Sequence, residues 1–295
     1  MRILNDLYDI YGNLLAKKNT SITPATVRRI RELGEKHKQV RVPLKNTDIF
    51  TDFEKIFSDE RYMVMFEPPV SKKDVCSIAG ELMVENDLIF ELTNMKNNLP
   101  YTYAHVLVVA ALVIKLCLTY KNEKYDREIV THCGFTHDIG KTRIPIAILN
   151  KKEPLTSEEL ALLKTHPTLG YLLLNYYLKS DRVDCSLASL EHHEKLDGTG
   201  YPKGIHKITK YTQLISPVDI LDALMTKRPY RENTFSLRTA LDYLVREANN
   251  NRLNKDIVLT LISFARKDKP DIKTLKISAK ARGTLPEEIA HEKYV

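Results

Sequence analysis

"HDIGKTRIP", His137 to Pro145, decides how this chain is read. The spacing around it predicts a helix over about 125–139, on which the adjacent His137 and Asp138 point about 100° apart and so hold different sides of one ion or reach two. Lys141 follows His137 by four residues and Asp138 by three, on the same helical side. An intrahelical ion pair is one reading of that cation. A charge poised over a metal-bound phosphate is the other. Gly140 removes a side chain where a ligand can approach the backbone.

Working outward, the pattern beyond the proline-marked break "EPPV", Glu67 to Val70, is almost wholly helical. Helices are predicted near 71–96, 101–120, 125–139, 157–165, 167–179, 184–196, 216–226 and 235–248. The run "VLVVAALVI", Val106 to Ile114, stops at Lys115 and is too short to cross a bilayer, so it reads as a buried core helix and no membrane span is expected. His105 opens that helix. His166 precedes Pro167 at the junction behind a helix capped by Thr156 with Glu159. His192 and His193 repeat the adjacent-pair geometry at the head of "HHEKLDGTGYPKG", in which Gly198 and Gly200 let the chain turn. Asp219 and Asp222 share one helical face, and Ser216, Pro217 and Asp219 resemble a capped helix start.

Taken together, His105, His137, Asp138, His166, His192, His193 and Asp219 are more donors than one ion accepts once water and substrate are counted. Two ions follow, with Asp138 able to bridge them. Nitrogen and oxygen donors without thiolate suit iron, manganese, zinc or cobalt.

Residues 1–68 read as a small α+β unit. Gly12-Asn13 marks a hairpin turn, Thr23 and Pro24 open a helix that Gly34 ends, and "QVRVPL" and "RYMVMF" are strand candidates. The basic run of Arg28, Arg29, Arg31, Lys36 and Lys38 is read as a solvated helix face rather than a nucleic-acid patch, and no duplex nucleic acid is expected as a partner. The whole chain carries 45 basic and 38 acidic side chains, +7, a mild preference for anionic partners. Four cysteines without a CxxC pair indicate neither a thiolate zinc site nor a disulfide framework. With no signal peptide in "MRILNDLYDI", a cytoplasmic protein is expected.

"HDIGKTRIP", "HHEKLDGTGYP" and "DILDALMTKRPYR", in this order, resemble the HD-GYP family of the HD phosphohydrolases over roughly residues 70–270. The resemblance implies a mainly α protein. An all-α phosphodiesterase domain over 69–275 would follow an N-terminal sensory or docking unit over 1–68 and precede a polar tail over 276–295. It implies hydrolysis of cyclic di-GMP, a bacterial second messenger, to pGpG and/or GMP through a metal-bridged hydroxide. A non-catalytic cyclic di-GMP receptor, or a hydrolase of another cyclic dinucleotide, stays open beside it. It carries the seven donors over as metal ligands and makes Asp138 and Lys141 catalytic. Lys141, Gly200, Tyr201, Pro202, Arg228 and Arg231 would contact substrate. Family members with a third metal have a glutamate four residues before the first histidine; Tyr101 stands there, which implies two ions. Protein partners, or a homodimer, would engage the N-terminal unit.

Overall fold

The computed structural model describes residues 1–37, 40–120, 125–178, 182–227 and 234–278. Arg228, Arg231, Lys38 and nearly all of the expected tail lie outside these residues.

In chain order the elements are β1 (Leu7–Tyr8), β2 (Leu14–Ala16), α1 (Pro24–Glu35), β3 (Arg41–Pro43), α2 (Asp48–Lys55), α3 (Lys72–Glu81), β4 (Met83–Glu85), α4 (Asn86–Asn98), α5 (Pro100–Thr119), α6 (Arg127–Thr136), α7 (Ile146–Leu149), α8 (Ser157–Leu163), α9 (His166–Tyr177), α10 (Val183–Glu191), α11 (Lys210–Met225), α12 (Leu237–Asn249) and α13 (Lys255–Ala265). The mainly α reading holds. α5 is the axis: Pro100 pre-sets its first turn and apolar residues run round every side of Val106–Ile114, so it is buried on all sides by α3, α4, α6, α11 and α13. By length and composition α5 would pass for a membrane span, but 83% of its most apolar window lies inside the bundle. Its one lysine, Lys115, is buried with Nζ donating to the carbonyls of Glu67 (2.9 Å) and Val70 and lying 4.9 Å from the Phe264 ring. Burial pushes that amine down to about 8. α6 lies so close to α5 that a Cβ on Gly134 would stand 2.6 Å from the Ala110 Cα.

Several expectations need correction. The single helix expected over 71–96 is α3 and α4 with β4 between them, because β4 pairs antiparallel with β3, Val42 opposite Val84. "RYMVMF" is no strand; Met63–Phe66 forms a 3-10 turn that buries Met65 and Phe66. α6 ends at Thr136, short of the expected 139, and a 3-10 segment, Ile139–Arg143, follows. α10 stops at Glu191 rather than 196. α11 begins at Lys210, capped by Thr209, so Pro217 is inside the helix rather than at its start. Ser216 makes no N-cap; its hydroxyl donates to the carbonyls of His192 (2.8 Å) and Thr212 (3.0 Å). α13 was unforeseen.

Residues 1–68 hold the expected hairpin, β1 with β2, and the capped α1. Their apolar side chains join the core cluster of the helices: α1 packs on α9 and β3 pairs with β4 across the proline-marked break. Gly34 in α1 presses against the Tyr176 carbonyl, where a Cβ has no room.

A buried polar network lies under this sheet. Arg182 donates to His132 Nε2 (2.7 Å) and pairs with Glu128 (2.5 Å) and Glu85 (3.3 Å). Burial, and then the Arg182 charge, pushes His132 down to about 3. The unfolded chain binds a proton below pH 6.5 that the fold refuses. Stability is therefore full above that pH and falls by about 1.4 kcal/mol per pH unit as pH drops toward 3. Urea midpoints of the wild type and His132→Gln between about pH 6 and 4 check this. Equal slopes in the two proteins would refute it.

Candidate metal centre

Five histidines converge at the centre of the helical layer. α5 supplies His105, the end of α6 supplies His137, α9 starts with His166, and His192 and His193 follow α10. All five are buried, as are Asp138 and Asp219.

Their tautomers are set by the backbone. His137 Nδ1 donates to Gly134 O at 3.0 Å, His166 Nδ1 to Leu163 O at 2.8 Å, and His192 Nδ1 to Ser189 O at 2.7 Å, each to a carbonyl three residues back. A carbonyl only accepts, so the proton sits on Nδ1 and Nε2 presents a lone pair. The lone pairs of His166 and His192 meet, Nε2 to Nε2 at 3.2 Å, and His193 Nε2 lies 3.1 Å from His166 Nε2. Asp138 Oδ1 faces the same point, 3.3 Å from His166 Nε2 and 3.5 Å from His192 Nε2, with no hydrogen bond of its own. On the other side His137 Nε2 lies 3.4 Å from His105 Nε2, and Asp138 Oδ2 is 3.7 Å from His105 Nε2 and 3.8 Å from His137 Nε2. Asp219 Oδ1 approaches His105 Nε2 at 3.0 Å, and its Oδ2 lies 3.9 Å from His193 Nδ1. Two triads result, His166 with His192 and His193, and His105 with His137 and Asp138.

Acceptor atoms packed against acceptor atoms repel unless a cation lies between them. At His137 and His166 a proton does not supply it. Burial pushes His137 down to about 4, and burial with the Lys141 charge holds His166 well below its usual range. Burial would raise the Asp138 carboxyl, but Lys141 and the histidines hold it well below its ordinary value. The donor set therefore fits divalent metal, with Asp138 placed between the triads.

Lys141 donates to Asp138 Oδ2 at 2.8 Å, so the ion pair foreseen in the sequence exists, made by the 3-10 segment rather than a helix. Gly140 has a different use from the one expected. Its missing side chain admits the backbone of α9 at His166 O and Gly170 N, not a ligand. Ser189 on α10 donates to His137 O at 2.7 Å and ties the His137-Asp138 pair to the helix that leads into His192 and His193.

The "GYP" loop is held by Glu194, a buried carboxylate that accepts the N–H of Lys203 (2.6 Å) and Ile205 (3.1 Å). Gly200 passes so close to the backbone of residues 193–195 that no Cβ fits. Tyr201 then stacks on His193, ring centroids 4.7 Å apart at 19°, with Lys164 Nζ 5.2 Å from its face. Pro202 follows, half-buried. Tyr101 is exposed on the first turn of α5.

Two supporting residues escaped the sequence reading. Asp222 accepts His105 Nδ1–H at 2.5 Å and orients that ring, with a further hydrogen bond from Thr226 at 3.0 Å. Tyr62, fully buried and from the N-terminal segment, donates its hydroxyl to the same carboxylate. The shared face of Asp219 and Asp222 was a signal for the first. Nothing near Tyr62 signalled the second, 160 residues away.

A helical scaffold around a buried histidine–carboxylate cluster defines a metal-binding helical domain. This chain belongs to the HD domain family, whose model matches residues 86–257, and its resemblance to the HD-GYP proteins stands. It is 30% identical over 186 residues to a cyclic di-GMP phosphodiesterase of Pseudomonas aeruginosa, covering 60% of this chain and 43% of that one. It is 38% identical over 110 residues to the cyclic di-GMP phosphodiesterase response regulator RpfG of Xanthomonas campestris pv. campestris, covering 37% and 29%. It is 36% identical over 134 residues to 3'3'-cGAMP-specific phosphodiesterase 3 of Vibrio cholerae, covering 45% and 29%. The matches thus span less than half the length of each of these relatives.

Proposed function

We propose that this chain is a metal-dependent phosphodiesterase that hydrolyses cyclic di-GMP to pGpG and/or GMP. The observation that carries the reading is the pair of facing triads, five imidazoles and a carboxylate whose nitrogen and oxygen atoms converge. His166, His192 and His193 would hold one divalent ion, and His105, His137 and Asp219 the other, with Asp138 between them; Tyr101 in place of an acid supports two ions. Iron and manganese suit the donors best, then zinc or cobalt. Such ions, when bound, acidify water and neutralise charge on the attacking and leaving oxygens of a phosphate displacement.

The protein's own part is positional. Lys141, fixed by Asp138, would place its ammonium beside the phosphate and stabilise the charge that grows on its oxygens. Tyr201, anchored on His193, and Pro202 would form a wall for the substrate, and Arg228 and Arg231 would grip its phosphates or guanines. The four free cysteines support a reducing, cytoplasmic setting.

Protein loaded anaerobically with iron or manganese, incubated with cyclic di-GMP and resolved by chromatography, is expected to yield pGpG or GMP. No product with either metal would sink the reading, and tight binding without turnover would make the chain a receptor. The Vibrio cholerae relative supports a second substrate, 3'3'-cGAMP, to be assayed in parallel.

The support for His105 gives a second expectation. Tyr62→Phe leaves the ring in its buried place but removes the hydroxyl donated to Asp222. Outer partners of metal-bound histidines are worth about 10–100-fold in affinity, and a loss at the lower end is expected. Calorimetric titration with manganese measures it. Unchanged affinity would reduce Tyr62 to a packing residue.

A further inference from the structure

The basic run on α1 is only partly accounted for by the fold. Arg29 donates to Leu15 O at 2.8 Å and Arg31 Nε to Asn175 Oδ1 at 2.6 Å. Arg28 is exposed and points toward a cavity of about 440 Å³ between α1, α9 and the loop after Pro202. Arg31 and Lys203 share the wall of that cavity, and no carboxylate is among the residues that line it. Glu191, next to the cavity's Leu190, is buried behind the wall, where it accepts the Thr209 N–H at 3.0 Å and lies within electrostatic reach of Tyr171 and Lys203. The floor is apolar, built by Val27, Leu190 and the ring of Tyr171.

We propose that this cavity is a second binding site, distinct from the metal centre, for an organic phosphate of mononucleotide size. Three cations in the lining against the single buried Glu191 behind it leave the cavity net positive and select an anion, and their number suits one phosphate group gripped from several sides. The apolar floor with an aromatic ring suits a planar base, and the volume lies in the range of small-ligand pockets, about 300–1,000 Å³. Occupancy would be felt at the metal centre. Lys203 hangs by its backbone N–H from Glu194, next to His193, and Leu190 stands two residues before His192. The walls of the cavity are thus joined to both members of the histidine pair, and α1 brings the N-terminal segment to the same ligand. The site stands on its own residues and does not depend on which dinucleotide, if any, the metal centre hydrolyses.

The test uses the full chain stripped of metal by chelation, which removes metal-assisted phosphate binding at the other centre. Calorimetry with GMP is expected to show one site, weakened at least tenfold in Arg28→Ser and again in Arg28→Ser with Lys203→Ser, while Asp138→Asn binds GMP as the wild type does. Both substituted side chains are exposed, and circular dichroism confirms the fold of each variant. Inorganic phosphate is expected to bind at least tenfold more weakly than GMP. Absence of GMP binding at millimolar concentration, or binding that the double variant leaves intact, would overturn the site. Phosphate binding as tight as GMP would overturn the part assigned to the base.

Discussion

Asp138→Asn is expected to strip the protein of metal and, on the proposed function, to lower phosphodiester hydrolysis by at least about a thousandfold in rate. Asp138 faces two histidines on each side, with Oδ1 toward His166 and His192 and Oδ2 toward His105 and His137. The amide keeps its shape and volume, so the fold is expected to survive. What changes is charge: one of the two atoms becomes an N–H₂ donor aimed at bare nitrogens or at the Lys141 ammonium, and the anion that neutralises both cation and metal is gone. Losing an outer-sphere partner costs about 10–100-fold in metal affinity; losing the central ligand costs more. Metal content by elemental analysis after dialysis, beside a far-ultraviolet spectrum, decides it. Wild-type metal content in a folded Asp138→Asn protein would remove Asp138 from the site.

The site was legible in the sequence because its chemistry is discontinuous with core packing. No apolar pattern calls for paired histidines at 192–193, a His-Asp pair at 137–138, and a histidine before Pro167, so each stands out against its background. All seven expected donors do lie together. The supports were less legible, since they use residues that any core contains. Tyr62 is an aromatic in an apolar run until the fold brings it to Asp222, and Glu194 reads as a solvated acid until two loop N–H groups meet it.

The fold misreadings have one physical source. Periodicity reports burial, and here burial is shared between helices and short irregular pieces. Val84 is buried as a strand residue because β3 supplies a partner, Val42, from far earlier in the chain, so α3 and α4 looked continuous. Pro217 looked like a helix start because proline in a helix interior removes a hydrogen bond. The surrounding packing overrides that cost: Val218, Asp219 and Leu221 are buried, and Ser216 is bonded to the His192 carbonyl. "RYMVMF" is a short apolar run of strand length, yet among the described residues no strand pairs with it, and the segment coils into a 3-10 turn against α13 instead.

Gly140 carries the second large expectation, because it converts a packing constraint into metal affinity. The 3-10 segment that presents Lys141 crosses α9 at its first turn, and a Cβ at position 140 would overlap the His166 carbonyl and crowd the Gly170 N–H. Both are backbone atoms, so no side chain can swing aside; relief requires α9 to move away from Asp138, and His166 moves with it. Overpacking typically costs about 1–3 kcal/mol, and a backbone clash belongs at the upper end, an expected fall in Tm of about 6–12 °C for Gly140→Ala. Gly170→Ala is the informative comparison, since its Cβ would meet first the hydroxyl of Ser189, which donates to His137 O. A hydroxyl can rotate or be bonded elsewhere, so Gly170→Ala should melt above Gly140→Ala and keep more of its metal. Thermal melting and manganese titration of the two variants test this order. If Gly140→Ala melts and binds metal like the wild type, the close crossing of the 3-10 segment and α9 is not what sets His166 against Asp138.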